Sequence, residues 1–311
     1  MIFDEQTAPG ILAGLFSSLK LLFNGAYVDT VAQWPAIATE VPSTGATSNY
    51  AWIGRFPRMR KWVGEKVIKQ LAGHSYQIAN DDFEATVGVE RNDIEDDNLG
   101  IYNPLAKAAG ESAKQWPDEL VFKAVTQGFV GKCYDGLTFY STSHKVGSDK
   151  KSQIVVSNKI TAPLSFASLA ELEAGFGQAW TMIRSIKDDE LAPLNLNPTT
   201  LVVPPALEKT AKAIRDNEFI STGVNNPYYG QFKEIVVTGW LDTSTEWHLL
   251  ATGQVLKPFI FQPRKQPVFV KMADASSEAV FMRKLLKFGA EARGAAGYGL
   301  WQQAVGSTGA G

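Results

Sequence analysis

The chain has 311 residues, of which 45% are hydrophobic and 20% charged, as expected for a globular protein with a substantial core. Its single cysteine excludes a disulfide framework and a thiolate-rich zinc site, and suits a reducing compartment. The formal net charge of -2 argues against a general affinity for nucleic acid or for an anionic membrane.

The N-terminal segment holds an apolar stretch, 11–23, that is interrupted by Ser17, Ser18 and Lys20. Acidic residues stand before it where a secretory signal would be basic, and roughly thirteen residues are too few to span a bilayer. We therefore expect a short amphipathic helix over 10–24 in a chain made in the cytosol, without membrane contact. The following tract, rich in Pro, Thr, Ser and Gly, predicts an extended arm.

Residues 83–90 alternate between apolar and polar side chains, which predicts a half-buried strand. The apolar face consists of Phe83, Ala85, Val87 and Val89. The segment before it begins with strand-like residues at Trp52 and Ile53 and ends with them at Tyr76 and Ile78. This pattern predicts a long excursion with a basic tip, whose two legs pair antiparallel at its base.

Residues 103–127 predict a long helix, with Asn103 as its cap, Pro104 in its first turn and Gly128 at its end. Pro117 predicts a kink, because proline removes a backbone donor and crowds the preceding turn.

The second half of the chain alternates short strands with helices. Ser168 and Glu171 form a capping-box pair before a helix that we expect to reach residue 186. Residues 199–216 predict a buried strand, a Pro-Pro turn and a helix. We expect strands in 232–240 and 246–253 to pair with each other, further strands in 267–273 and 283–301, and a loose end over 306–311.

The familiar catalytic and cofactor motifs are absent from the sequence. Two glycine pairs, at 175–177 and 297–299, lack the third glycine of a dinucleotide-binding loop. The acidic segment 93–100 lacks the glycine and the final glutamate of a calcium loop, and is better explained as an acidic turn before a helix. The histidines His74, His144 and His248 have no metal-binding spacing, so we expect neither a cofactor nor a metal.

Cys133 and His144 pose the one catalytic question. Asp135 and Gly136 predict a two-residue hairpin turn with Cys133 on the incoming strand and His144 beyond the outgoing one. A catalytic cysteine needs a base and a lowered pKa, and a strand flanked by aromatic residues provides neither. A structural cysteine is the better interpretation, and a cytosolic cysteine hydrolase is the alternative.

Several stretches, in the same order, resemble the major head subunit of Mu-like tailed phages. They are "GRFPRMRKWVGEKVIK", "DFEATVGVERNDIEDDNLG", "YDGLTFYSTSHKVG", "LVVPPALEKTAKAI" and "EARGAAGYGLW". The resemblance implies an α+β capsid fold of the Hong Kong 97 type. Its parts would be an N-terminal arm (1–48), an extended loop (49–92), a peripheral domain with a long spine helix (93–192), an axial domain (193–253) and a return to the peripheral domain with a C-terminal strand (254–311).

The same resemblance implies a major capsid protein, not an enzyme, that self-assembles into pentamers and hexamers of an icosahedral shell enclosing double-stranded DNA. Assembly would take place in the host cytoplasm and the protein would reside in the virion. The implied partners are other copies of the chain, a scaffold protein, a portal, a possible decoration protein and, through weak non-specific contact, the packaged DNA. A non-viral encapsulating shell protein of the same fold is the alternative.

An asymmetry of charge suggests how neighbouring subunits recognise each other. The excursion carries a basic cluster, and the segment after it carries an acidic one. The contact candidates are Arg55, Arg58, Arg60, Lys61, Lys66 and Lys69 on the basic side, and Asp93, Glu95, Asp96 and Asp97 on the acidic side. Oppositely charged patches of this kind set the alignment in which two subunits meet and the rate at which they associate. The alternative is that both runs are solvated and pair within one hairpin.

Overall fold

The computed structural model of the chain describes residues 8–50, 76–96, 99–147, 153–272 and 285–310. The predicted basic tip, with Arg55, Arg58, Arg60, Lys61, Lys66 and Lys69, lies outside these residues. So do Asp97, the side chain of Glu95, and the strand-like residues Trp52 and Ile53.

The described chain is a mixture of helices and strands, in agreement with the α+β prediction. Its α-helices are α1 (Ala8–Asp29), α2 (Arg91–Glu95), α3 (Asn103–Gln127), α4 (Leu169–Leu172), α5 (Gln178–Ser185) and α6 (Glu208–Asp216). Its strands are β1 (Ala38–Glu40), β2 (Thr47–Asn49), β3 (Gln77–Ala79), β4 (Asp81–Glu90), β5 (His144–Val146), β6 (Ile154–Val156), β7 (Lys159–Ile160), β8 (Thr200–Val203), β9 (Phe219–Ser221), β10 (Val224–Asn225), β11 (Glu234–Val237), β12 (Trp247–Leu250), β13 (Phe259–Met272), β14 (Leu285–Tyr298) and β15 (Ala304–Ser307).

The first sheet has the strand order β1-β13-β14-β4, and its long central strands β13 and β14 are antiparallel. The predicted alternation in β4 is confirmed, since Val89 is buried, Phe83, Ala85 and Val87 are partly buried, and the residues between them are exposed. This apolar face packs with α1 and α3 on the same side of the sheet.

Helix α1 is longer than predicted and ends at Asp29 rather than near residue 24. Its residues Leu12, Leu15, Phe16 and Leu19 are buried at helical spacing against Phe288 of β14 and its neighbours. Because the helix continues, the estimate that it was too short for a bilayer was wrong. By length and composition, segment 10–36 meets the criterion for a membrane span, but core helices of soluble proteins meet it too.

Helix α3 has the predicted bounds and contacts both α1 and the first sheet. Asn103 does not cap it: Tyr102 holds the N-cap position, and no side chain provides a cap hydrogen bond there. Gly128 is the C-cap, as predicted. The helix runs without interruption through Pro117, and the kink predicted at that residue stays a prediction.

The second sheet has the order β11-β8-β12-β15-β7. The expectation that 232–240 and 246–253 pair with each other was wrong, because β8 lies between β11 and β12. All four residues of β8 are buried, as suits a central strand. The helix α6 forms the crossover that a parallel β8–β11 pair requires.

The chain end was expected to be loose, but residues 304–307 form β15 in the second sheet and are buried. Gly306 lies directly against the Tyr140 ring, where an added Cβ would come within 2.8 Å of ring carbons. Glycine therefore permits this close approach, and the predicted looseness applies at most to the residues after Thr308.

The helix predicted over 168–186 is present as α4 and α5, which are joined by a π-helical turn over 173–177. The Ser168 side chain accepts a hydrogen bond from the Glu171 N–H at 3.2 Å, which confirms Ser168 as the N-cap. The Glu171 carboxylate accepts the Ser165 hydroxyl at 2.5 Å, so the second half of the predicted capping box is not formed. Phe176 in the π-helical turn is fully buried and contacts Trp180, Tyr228 and Phe232 in the core beneath the second sheet.

The base of the long excursion is an antiparallel pair, as predicted. Strands β2 and β3 pair Thr47 with Ala79 and Asn49 with Gln77, and the Tyr50 N–H donates to the Tyr76 carbonyl at 2.8 Å. The described part of the pair involves residues 47–50 and 76–79, and the predicted Trp52 and Ile53 lie outside the described residues. Ile78 anchors this base on the first sheet in a cluster with Ile260 and Ala295.

Candidate functional site

An acidic surface follows the outer strand of the first sheet. We call Asp81, Asp82, Glu84, Glu90 and Asp96 the acidic edge. All five are exposed. Among the described residues β4 pairs only with β14, so its other side is an unpaired sheet edge, and charged side chains on such an edge oppose non-specific strand pairing.

The acidic edge is only partly neutralised by neighbouring groups. Arg293 Nε of β14 lies 3.3 Å from the Asp82 carboxylate, and the Thr86 hydroxyl donates to Glu84. Glu90 and Asp96 are exposed at the end of β4 and in the turn after α2.

Asp93, one of the predicted contact candidates, is held by an internal hydrogen bond. The Tyr102 hydroxyl donates to Asp93 Oδ2 at 2.5 Å and accepts the Glu90 N–H at 3.2 Å. Asp93 therefore fixes α2 to the start of α3, and only Asp96, among the described acidic candidates, is both exposed and without such a bond.

Cys133 and His144, eleven residues apart, meet on one carboxylate. The Cys133 thiol donates to Asp135 Oδ1 at 3.1 Å, and His144 Nδ1 lies 2.6 Å from Asp135 Oδ2. His144 Nε2 lies 3.2 Å from the Phe139 carbonyl oxygen. We call Cys133, Asp135 and His144 the cysteine cluster. The sequence spacing gave no sign of it.

The turn that builds this cluster differs from the one predicted. Gly136 has φ 83°, but Asp135 is not left-handed, whereas a two-residue turn of the expected type needs both. The Cys133 carbonyl accepts the Gly136 N–H at 3.0 Å, and the Cys133 N–H donates to the Leu137 carbonyl at 2.8 Å. The loop between these two residues therefore has three members, 134–136. The Asp135 side chain also accepts the Leu137 N–H at 3.0 Å, which aims the carboxylate inward.

The electrostatics of the cysteine cluster oppose nucleophilic catalysis. Burial, together with the Asp135 carboxylate, raises the pKa of the Cys133 thiol well above its usual range. Burial alone would raise the pKa of Asp135, but the hydrogen bond and charge of His144 and the Leu137 N–H hold it below its usual value. The imidazole meets the carboxylate rather than the sulfur, and His144 is fully buried against Trp301 with ring centroids 3.9 Å apart.

Substitution of Cys133 by serine is expected to leave assembly intact and to change stability by less than about 1.5 kcal/mol, because serine keeps the donor to Asp135. His144→Ala is expected to cost about 2–4 kcal/mol, since it removes a fully buried ring and the partner of a partly buried carboxylate. Urea unfolding measures both changes. Hydrolysis of a generic ester by the purified protein, lost in Cys133→Ser, would contradict the structural role.

Solved structures of phage heads share the fold described above. A chain of the procapsid of bacteriophage JBD30 is 31% identical, with a TM-score of 0.62, and the match covers 96% of this chain and 75% of that chain. A chain of the JBD30 capsid decorated with minor capsid protein trimers is 30% identical, with a TM-score of 0.58, over 68% of this chain and 91% of that one. The protein is thus a structural capsid protein of a tailed phage, which forms an icosahedral shell, and is not an enzyme.

The chain belongs to the family of the Mu-like prophage major head subunit gpT, whose model matches residues 12–163, 162–241 and 242–310. The major capsid protein of Escherichia phage Mu is 31% identical to it over 297 residues, which cover 96% of this chain and 73% of that protein. These findings confirm the resemblance seen in the sequence and overturn the cysteine-hydrolase alternative.

Proposed function

We propose that the chain assembles through pentamers and hexamers into a closed shell around double-stranded DNA, and that the acidic edge is a contact surface between copies. The observation that carries this proposal is the position of the acidic edge: it has no strand partner on its outer side among the described residues, and β4 begins two residues after β3, at the base of the excursion. The basic residues predicted for that excursion have the charge opposite to that of the edge.

The division into arm, extended loop, peripheral domain and axial domain is part of the same proposal. It is supported by two local apolar clusters, one beneath the second sheet with α4, α5 and α6, and another between α1 and the first sheet, although a further cluster joins Val202 and Leu250 of the second sheet to Phe259 and Phe261 of the first. The second sheet also contains β7 and β15, which lie outside 193–253. An axial domain defined by this sheet would therefore be discontinuous in sequence.

The further partners that we propose are a scaffold protein, a portal and a decoration protein. The JBD30 capsid, whose subunit is similar to this chain, is decorated with minor capsid protein trimers. Contact with packaged DNA would be weak and non-specific, because a chain with a formal net charge of -2 releases few counterions on binding.

Assembly can be tested with the purified chain, alone and co-expressed with its scaffold, by negative-stain microscopy and sedimentation velocity. We expect capsomers or shells, because subunit contacts of obligate assemblies typically bury more than about 2,000 Å². A stable monomer at high concentration, with residues 51–75 protected from hydrogen exchange, would contradict this proposal.

A further inference from the structure

The cysteine cluster brings His144 Nδ1 within hydrogen-bond distance of the Asp135 carboxylate, and a metal ion can take the place of the proton between them. The Phe139 carbonyl can only accept, so His144 Nε2, at 3.2 Å, carries a proton. The other ring nitrogen, Nδ1, lies 2.6 Å from Asp135 Oδ2. A carboxylate oxygen and an imidazole nitrogen at that distance must share either a proton or a metal ion.

A third ligand atom is close by. Cys133 Sγ, one Asp135 carboxylate oxygen and His144 Nδ1 all lie within 4.8 Å of one another. Ligands bound to tetrahedral zinc at about 2.0–2.3 Å lie roughly 3.3–3.8 Å apart, so the nitrogen and oxygen atoms, now 2.6 Å apart, would have to separate by about 0.7 Å or more. Asp135 can provide this movement, because it lies on a turn and its side chain is 18% exposed.

The surroundings of His144 resemble those of a metal-binding histidine. Such a residue usually donates its second ring N–H to a carbonyl or carboxylate, which fixes the tautomer and the ring plane. The Phe139 carbonyl has this position, and the buried Asn158 amide, which donates to it at 2.8 Å, holds it in place. Trp301 stacks on the ring with an interplanar angle of 3° and prevents it from turning.

We propose that Cys133, Asp135 and His144 bind one divalent cation of the zinc class, with water as the fourth ligand on the side where Asp135 is exposed. A mixed sulfur, nitrogen and oxygen donor set favours zinc or cobalt over magnesium or calcium. Binding releases the thiol proton and the proton shared by Asp135 and His144 to solvent. The ion would cross-link the two ends of the loop between residues 133 and 144. Its role would be to stabilise the fold, not to catalyse a reaction.

Burial disfavours the thiolate that such a site needs, since the pKa of Cys133 is raised in the metal-free arrangement. A divalent charge in direct contact with the sulfur reverses that preference, and a coordinating thiol is deprotonated.

Cobalt is a direct probe of this site, because Cys133 is the only thiol in the chain and a sulfur-to-cobalt charge-transfer absorption identifies it without ambiguity. The full chain is to be titrated with Co²⁺ when folded, and also refolded from urea with Co²⁺, with Mg²⁺ as a control in both cases. We expect one cobalt per chain, the charge-transfer band, and its loss when Zn²⁺ is added.

Cys133→Ser is expected to abolish the band, and Asp135→Asn and His144→Asn to weaken cobalt binding at least tenfold. His248→Asn is the matched control: His248 is also fully buried and lies 3.4 Å from a carboxylate, that of Glu246, but is not in the cluster. It should leave the band unchanged. Absence of the band from both the folded and the refolded wild-type chain would overturn the proposal and leave a proton as the shared cation. The band in the wild type tests the site even if a variant fails to fold.

Discussion

Reversal of Arg58, Arg60 and Lys61 to glutamate is expected to abolish capsomer and shell formation while the helix content of the free chain stays unchanged. The three residues belong to the basic cluster of the excursion, and the acidic edge offers the opposite charge on a strand that pairs, among the described residues, on one side only. Charge reversal places like charges opposite each other, which weakens the association of two subunits and disturbs the alignment in which they meet. Sedimentation velocity, electron microscopy and circular dichroism measure the two outcomes.

The structure selects the acidic residues for a compensating reversal. The sequence alone suggested Asp93, Glu95 and Asp96, but Asp93 is bonded to Tyr102, and its reversal would disturb α2. Glu84, Glu90 and Asp96 are exposed, so their change to lysine should restore part of the assembly.

A second triple, Glu218, Glu234 and Asp242 to lysine, serves as a control. These exposed residues belong to the part of the chain that carries the second sheet, and the change in net charge is the same. Rescue by this control would mean that net charge, rather than local pairing, governs assembly. Normal assembly of the Arg58, Arg60 and Lys61 variant at low salt, where the Debye length exceeds about 10 Å, would refute the pairing.

Local patterns predicted local structure well. The alternation in 83–90 and the helical signals in 103–127 reflect side chains that face one side of a single element, and both elements have the predicted character. Helix α1 was underestimated because its apolar stretch ends near Phe23 and the next residues, Asn24 and Gly25, are poor helix formers. The helix continues to Asp29 because this part packs against α3, where Phe23 and Tyr27 cluster with Ala109 and Ala113.

Long-range arrangements were not predictable from such patterns. Nothing in 232–240 or 246–253 indicates that β8 lies between them, because strand order depends on tertiary packing. Likewise, the cysteine cluster depends on a turn whose Asp135 carboxylate spans from Cys133 to His144. A sequence search for paired ligands at regular spacing would not find a site joined in this way.

Asn158 is the clearest residue that sequence reasoning missed. It is fully buried, and its side-chain oxygen accepts the Ser141 N–H at 2.8 Å. Its amide donates to the carbonyls of Phe139 at 2.8 Å, Ala304 at 3.1 Å and Trp301 at 3.3 Å. One side chain thus joins the segment after α3 to the end of the chain, where no regular strand pairing links Phe139 or Ser141 to residues 301–304.

Asn158→Ala is therefore expected to lower the free energy of unfolding by about 3–5 kcal/mol, because a buried N–H and buried carbonyl groups lose their hydrogen-bond partner. The neighbouring substitution Ser157→Ala is the control. It removes the bond from the Ser157 hydroxyl to the Lys159 carbonyl at a partly buried position, and should cost less than about 1.5 kcal/mol. Urea unfolding of the unassembled chain measures both, with an unchanged m-value as the sign of a native-state effect. A loss below about 1 kcal/mol in Asn158→Ala would mean that water, or the neighbouring backbone, satisfies these groups, and that Asn158 does not hold the chain end in place.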